Sequence, residues 1–176
     1  RPDGSTEFID FLGNAAEGTN RGVEMDINWF VNDNFSINAN AGWLDAEFDK
    51  FINEFGEDLA GRDQAHAPSY TFSVNLNYQQ GPWFASISAD GKDDFFFSDR
   101  HSIKSKRYTL YNAAFGFESR QWKVTLWGRN LTDKDHYVRG FGSFGNDPRK
   151  FYVTEPYFQY GEPRVTGVTL QFTMGG

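Results

Sequence analysis

The stretch Tyr70-Thr71-Phe72-Ser73-Val74-Asn75-Leu76-Asn77-Tyr78 decides the fold, because apolar and polar side chains alternate along it without a break. Successive side chains of a β-strand point to opposite faces, so this spacing predicts a strand with one apolar and one polar face. Six further stretches alternate in the same way. Their first apolar residues are Val23, Phe35, Trp83, Tyr111, Trp122 and Val168, and the last stretch reaches Met174. Together they predict seven strands, whereas amphipathic helical spacing is hard to find over a comparable length.

The composition is rich in aromatic residues, with 19 Phe, 8 Tyr and 5 Trp among 176 residues, and it contains no Cys. The net charge is -7 and Lys and Arg form no block, which argues against a nucleic-acid partner. Mean hydropathy is -0.63, and no apolar run approaches the roughly 18 residues of a membrane helix. A membrane-spanning strand needs only about 10 residues and turns half of them away from lipid, so low hydropathy is compatible with a membrane β-barrel.

The connections between the predicted strands alternate between short and long. Short links lie at 31–34, 79–82 and 119–121, and long links lie at 50–69, 92–107 and 133–161. A transmembrane barrel has tight turns at its periplasmic rim and extended loops outside the cell, so this parity predicts a periplasmic C-terminus. Rings beside the short turns predict an aromatic girdle at the headgroup level of the membrane. The girdle residues are Trp29, Phe35, Tyr78, Trp83, Phe117, Trp122 and Phe172.

These regularities predict an all-β fold, namely an antiparallel up-and-down transmembrane β-barrel of which residues 1–176 form an incomplete fragment of about seven strands. Bacterial barrels have an even number of strands, and an open edge in lipid leaves amides unpaired, so we expect further strands and a signal segment before Arg1. The alternative is a soluble β-sandwich, whose apolar faces pack against a second sheet. Asn and Ser on the polar faces favour a watery lumen over the exterior of a soluble sheet.

Five motifs occur in a fixed order along the chain. They are Asn14-Ala15 before Gly22-Val23-Glu24, then Gly42-Trp43-Leu44-Asp45-Ala46-Glu47-Phe48, Ala67-Pro68, Asn130-Leu131-Thr132-Asp133 with Tyr137, and Gly161-Glu162-Pro163-Arg164 with Gly167-Val168. In this order they resemble the C-terminal half of the β-barrel of TonB-dependent receptors. The sequence departs from that family where Thr173-Met174-Gly175-Gly176 follow Phe172, because the final aromatic of such barrels is commonly the last residue.

The resemblance implies a receptor in the outer membrane of a Gram-negative bacterium that actively imports a scarce nutrient, most often a ferric siderophore. It implies four partners: outer-membrane lipid, the TonB complex acting through an N-terminal plug outside this sequence, a metal chelate or similar nutrient, and the barrel-assembly machinery. It implies neither a cofactor nor catalysis. A passive porin-like barrel without a plug stays open as an alternative.

Some motifs have a local structural reason. Pro68 is tolerated at the first position of a strand, Asn130 to Asp133 offer side chains that cap a strand exit, and Gly167 leaves room for a neighbouring ring. Arg offers a rigid donor fork for carboxylates, and neighbouring rings add apolar contact, a combination suited to an anionic chelate. The candidate ligand residues in the long loops are Phe95, Phe96, Phe97, Arg100, His101, Arg107, Arg139, Phe141, Arg149, Tyr152, Tyr157 and Tyr160.

Other patterns predict no chemistry. The glycines of 140–145 fit a dinucleotide motif but have no strand before them and no helix after them, so they predict a loop. The acidic residues of 45–58 match no calcium loop and predict a solvated face. His66, His101 and His136 are scattered, which argues against a zinc site. No hydrolase triad is evident.

Overall fold

The structure, a computed structural model, describes residues 17–53, 55–141, 148–151 and 157–174. The strands along this part of the chain are β1 (Glu17–Asn32), β2 (Phe35–Lys50), β3 (Tyr70–Gln80), β4 (Trp83–Lys92), β5 (Phe95–Phe96), β6 (Lys104–Ser105), β7 (Tyr108–Glu118), β8 (Trp122–Arg129), β9 (Tyr137–Phe141), β10 (Tyr157–Tyr160) and β11 (Val165–Phe172). A short 3-10 helix spans Pro148–Lys150.

Seven of these strands form one antiparallel sheet in the order β1-β2-β3-β4-β7-β8-β11. Each long strand therefore pairs with the next long strand along the chain, as in an up-and-down wall. The seven strands predicted by the alternation are confirmed, and the sheet is not closed into a barrel. The shorter strands lie in the long connections, where β5 pairs with β6 and β9 pairs with β10.

The register sorts side chains into an apolar face and a polar face. One row of paired positions crosses the sheet through Trp29, Ile37, Leu76, Ile87 and Ala113. The adjacent row is polar and crosses through Asn28, Asn38, Asn75, Ser88 and Asn112. Because the side-chain period of a strand is two residues, a slip of one position in any pair would mix the two faces.

The apolar face is uncovered. Ile87 is 56% exposed, Phe115 49% and Leu170 68%, and no second layer covers this face within the part of the chain that the structure describes. A β-sandwich would bury these side chains between two sheets. The arrangement therefore contradicts the sandwich alternative.

Among the described residues, no helix is long and apolar enough to cross a membrane.

The turns and long connections segregate to opposite ends of the sheet. Tight turns join β1 to β2, β3 to β4 and β7 to β8, and Asn32 Oδ1 accepts the amide of Asn34 in the first of them. β11 ends at the same edge, where Phe172 pairs with Trp122 and the amide of Thr173 donates to Gln121 O. We call this edge the turn end and the opposite edge the loop end. The predicted alternation of short and long links is confirmed.

The boundaries of three strands differ from the sequence expectation. β1 and β2 each run for 16 residues, well beyond the Val23–Trp29 core of the first predicted strand, and they extend toward the loop end as one hairpin. At about 3.3 Å per residue they are longer than a membrane crossing needs. The last strand was expected to reach Met174, but it ends at Phe172, and Met174 lies past the final pair of the ladder.

Candidate functional site

A connected set of polar side chains lies on the polar face near the loop end. Asp90 accepts hydrogen bonds from Ser73 Oγ at 2.6 Å and Ser88 Oγ at 3.3 Å. Asn112 Nδ2 lies 3.0 Å from both Ser88 Oγ and Asp90 Oδ2, and Asn112 Oδ1 accepts the amide of Asn130. The network links three adjacent strands and ties them to the start of the connection after β8. It suits a surface that faces water rather than lipid, because placing Asp90 and these amide and hydroxyl groups in hydrocarbon would cost free energy.

Asn130 anchors that connection. Its side chain is nearly inaccessible, at 3% exposed, and its Nδ2 donates to Lys134 O and Glu162 O while its Oδ1 accepts the Lys134 amide at 2.8 Å. Asp133 Oδ1 accepts a hydrogen bond from the amide of Arg164. A second side chain of the motif therefore joins the start of the connection after β8 to the end of that connection before β11. Both Asn130 and Asp133 have positive φ, at 46° and 53°, a conformation that Asn and Asp tolerate better than other side chains. The prediction that this motif caps a strand exit is confirmed.

The glycine of the closing motif also has a contact reason. A Cβ on Gly167 would lie 2.5 Å from the ring of Trp127, whose Nε1 donates to Thr169 Oγ1 at 3.0 Å. The Arg129 guanidinium lies 5.3 Å from the same ring. Gly167 therefore makes room for a ring on the polar face, as predicted.

The three long connections meet in an aromatic cluster at the loop end, which we call the loop core. Phe97 is 2% exposed, and its ring lies 5.5 Å from that of Phe95, 6.2 Å from that of Tyr137 and 5.2 Å from that of Phe158. His66 from the first long connection contacts both Phe95 and Phe97. Rings that were expected to meet a ligand thus pack against one another and hold the loops together. Ligand contact by Phe97 stays a prediction, and the burial of its ring argues against that contact.

Two cations contact the Phe96 ring. The Arg62 guanidinium carbon is 3.9 Å from the centre of the Phe96 ring, and Lys104 Nζ is 4.2 Å from it. Arg62 also donates to Ser98 O at 2.6 Å and to His101 O at 2.8 Å. Burial lowers the pKa of the Arg62 guanidinium, although nearby carboxylates oppose this shift. Arg62 is therefore the clamp between the first and second long connections.

Sequence reasoning did not single out Arg62 or Asn53, which both donate hydrogen bonds to the segment 98–101. Asn53 is 5% exposed, donates from Nδ2 to Asp99 O, and accepts the amides of Phe55 and Glu57 at its Oδ1. Neither residue belongs to a motif with a recognisable spacing. Only the contact with a segment some 40 residues away reveals their role.

A basic cleft of about 300 Å³ opens beside the loop core. Its walls come from the segment before β7, the segment before β9 and the end of β10. The lining residues are Lys106, Arg107, Lys134, Asp135, His136, Tyr137 and Tyr160. Tyr137 Oη and Tyr160 Oη are 3.4 Å apart, and this hydrogen bond, reinforced by the charge of Asp135, raises the pKa of Tyr160. The hydroxyls of Tyr137 and Tyr160 therefore lie together at the cleft, where each can donate or accept a hydrogen bond.

The remaining candidate ligand residues are distributed around this end of the sheet. Arg100, Arg107, Arg139 and Arg149 are exposed, as is Tyr157, whereas His101 is half-buried. Phe141 pairs with Tyr157 in the β9–β10 hairpin. Tyr152 lies outside the described residues. The structure brings Arg107 and Tyr160 together in the basic cleft and leaves Arg149 in a separate helical turn.

The candidate girdle residues lie together at the turn end of the apolar face. Phe35 pairs with Tyr78 and Trp83 pairs with Phe117 across adjacent strands. Trp83 and Phe117 have ring centres 5.0 Å apart, and those of Trp122 and Phe172 are 4.6 Å apart. Trp29 occupies the same face on β1. A band of cross-strand aromatic contacts follows from this placement.

Within the described part of the chain, no group of three or more His, Cys, Asp or Glu side chains is arranged to hold a metal ion. Asp45, from the acidic stretch, pairs instead with Arg21 at 3.1 Å, and Asp49 accepts a hydrogen bond from Thr19.

Solved structures with the same arrangement of strands are β-barrels. The chain superposes on the siderophore receptor PiuA from Acinetobacter baumannii with a TM-score of 0.69 at 18% identity, covering 87% of this chain and 21% of that one. It superposes on the ferric yersiniabactin uptake receptor FyuA from Yersinia pestis with a TM-score of 0.73 at 14% identity, covering 90% and 24%. For the ferric-catecholate import receptor Fiu from K12 E. coli the TM-score is 0.65 at 17% identity, with 88% and 21% covered. The sheet is therefore a segment of a β-barrel wall.

The family described as TonB dependent receptor-like, beta-barrel, matches residues 1–131 of the chain. The chain belongs to this family. Barrels of this family are outer-membrane proteins of Gram-negative bacteria, and the family consists of transport receptors rather than enzymes. The chain spans between a fifth and a quarter of the length of the solved receptors that it matches.

Proposed function

We propose that this chain is the C-terminal part of the barrel of an outer-membrane receptor that imports a scarce nutrient, with a ferric siderophore or another iron complex as its substrate. The observation that carries the proposal is the family match over residues 1–131. The solved structures that share this fold include the ferric yersiniabactin uptake receptor FyuA at 14% identity and the ferric-catecholate import receptor Fiu at 17% identity, and they motivate the choice of an iron complex. Energy from the TonB complex, delivered through an N-terminal plug, completes the proposed transport cycle.

The two faces of the sheet support a membrane-embedded wall. Lipid would cover the apolar face, where Ile87 and Leu170 are exposed, because apolar side chains in water are unfavourable by about 25 cal/mol per Å². Water and the plug would face the side that carries Asn75 and Asn112. The hydrogen-bond network around Asp90 supports this assignment, since such groups need polar surroundings.

The orientation follows from the two ends of the sheet. Short turns belong to the periplasmic rim of such barrels, so the turn end, and with it the C-terminus, would lie in the periplasm. The aromatic band around Trp83 and Trp122 would sit at the inner headgroup level as a girdle. During biogenesis the barrel-assembly machinery would receive this C-terminal strand.

The loop end would capture the ligand outside the cell. Arg100, Arg107, Arg139 and Arg149 supply cationic donors for an anionic chelate, and exposed rings such as Tyr157 supply apolar contact. The loop core around Phe97 would hold these residues in place rather than bind the ligand itself.

Uptake of a panel of labelled ferric siderophores by cells that express the full-length receptor tests the proposal. We expect uptake of one chelate class, loss of that uptake in a strain without TonB, and at least about a tenfold weaker affinity after Arg100, Arg107 and Arg149 are replaced by Ala. Arg120→Ala, at the turn between β7 and β8, is the matched control and should leave affinity unchanged.

Three results would each contradict a part of the proposal. Uptake that persists without TonB would favour the passive porin-like barrel. Affinity that survives the triple replacement would remove these arginines from the ligand site. Release of the full-length protein into buffer without detergent would contradict the membrane location as well.

A further inference from the structure

The basic cleft at the loop end gathers several basic side chains in one place. Elsewhere some basic side chains pair with carboxylates, as Lys123 does with Glu118 at 2.7 Å and Arg129 with Glu162 at 2.9 Å. Among the described residues, the side chains of Lys106, Arg107 and Lys134 have no such partner.

Two separate segments bring these cations to one concave site. Lys106 and Arg107 precede β7, Lys134 follows β8, and all three border the same volume of about 300 Å³. Asp135 is the one carboxylate among the lining residues, so positive charge exceeds negative charge there, although the whole chain carries -7. Like charges gathered in a cleft repel one another, and a bound anion relieves that repulsion.

The tyrosines of the cleft add neutral donors. Tyr137 and Tyr160 share one hydrogen bond between their hydroxyls, which leaves one O–H free to donate to a further acceptor. The raised pKa of Tyr160 keeps its hydroxyl protonated, so it does not add negative charge. A site with cationic and hydroxyl donors on several sides matches an oxyanion with several acceptor oxygens.

We infer that the cleft lined by Lys106, Arg107, Lys134 and the two tyrosines binds a multiply charged oxyanion of the phosphate class. Arg107 provides the planar fork that pairs with two oxygens, and the lysines act as point charges on the remaining ones. The oxyanion is either free in solution or the headgroup phosphate of a neighbouring lipid. The inference goes beyond the proposed transport function and shares only Arg107 and Tyr160 with the candidate ligand residues.

Titration calorimetry of the full-length receptor in detergent, with inorganic phosphate as the probe, tests this inference. We expect the combined variant Lys106→Gln, Arg107→Gln and Lys134→Gln to bind phosphate at least about tenfold more weakly than the unaltered receptor. Arg120→Gln, an exposed change at the turn end, should bind as the unaltered receptor does. Circular dichroism verifies folding, and Arg107→Gln alone serves if the combined variant does not fold.

A phosphorus assay of the purified receptor separates the two sources. Phosphorus that is retained through detergent exchange by the unaltered receptor, and lost in the combined variant, identifies a lipid headgroup. Binding of added phosphate without retained phosphorus identifies a free oxyanion. Equal phosphate affinity in the combined variant, or no phosphate binding by an unaltered receptor that also retains no phosphorus, would overturn the inference and leave the siderophore uptake result untouched.

Discussion

Replacing Asn130 by Ala tests whether this residue closes the connection between β8 and β11. The change removes three hydrogen bonds between the Asn130 side chain and the backbone, two of them to Lys134 and one to Glu162. Each contributes about 1 kcal/mol net at a buried site. Ala at a φ of 46° adds about 1 kcal/mol of backbone strain. The expected loss of local stability is therefore about 4 kcal/mol, which raises the opening equilibrium on the order of 1,000-fold.

Hydrogen exchange of the Gly161 amide reports this opening. That amide donates to His136 O at 2.9 Å, across the connection that Asn130 closes, and it has no bond to Asn130 itself. In the full-length Asn130→Ala receptor, exchange of the Gly161 amide should accelerate on the order of 1,000-fold. The exchange rate of the Val74 amide, in the middle of β3, should stay the same.

Two further variants separate the contributions. Asn130→Gly removes the same hydrogen bonds without the strain, so exchange should be about fivefold slower than in Asn130→Ala. Asn130→Asp keeps the acceptor for the Lys134 amide but turns an oxygen toward two carbonyls, and it should not rescue protection. A change of less than about tenfold at Gly161 in the Ala variant would refute the role assigned to Asn130.

Two other predictions concern packing. Arg62→Lys loses the paired hydrogen bonds to Ser98 O and His101 O, so limited proteolysis of the full-length receptor should cut after Arg100 several times faster. An unchanged cleavage rate would contradict the role of Arg62 in joining the first two long connections. Gly167→Ala forces the Trp127 ring away from its hydrogen bond with Thr169, which should cost about 1–3 kcal/mol in denaturant unfolding, and an unaltered midpoint would contradict the close contact.

The sheet was predictable because its determinants are local. The alternation around Val74 fixes both the strand and its two faces, and the short turns fix the antiparallel order of neighbouring strands. The Asn130 cap was predictable for the same reason, since all but one of its partners lie within four residues or on the adjacent strand. Strand ends were less certain, because pairing beyond the alternating core lengthened β1 and the ladder stopped before Met174.

The loop end was not predictable in the same way. Its contacts join segments far apart in sequence, such as Phe97 with Phe158 and Arg62 with His101. A ring in a long loop can meet a ligand or pack in the loop itself, and composition does not distinguish these roles. The convergence of Lys106, Arg107 and Lys134 on one cleft likewise has no signature in their spacing.

An outer-membrane transport role requires that the apolar face of this sheet contacts lipid and that its polar face contacts water. Single Cys substitutions from Ala85 to Asp90 in β4, spin-labelled in the full-length receptor in bilayers, measure this directly, and this chain contributes no native Cys. Collisions with oxygen should peak at 85, 87 and 89, and collisions with a water-soluble nickel complex at 86, 88 and 90. An absent or reversed alternation, or apolar positions shielded from both reagents by a second protein layer, would contradict the membrane-wall assignment.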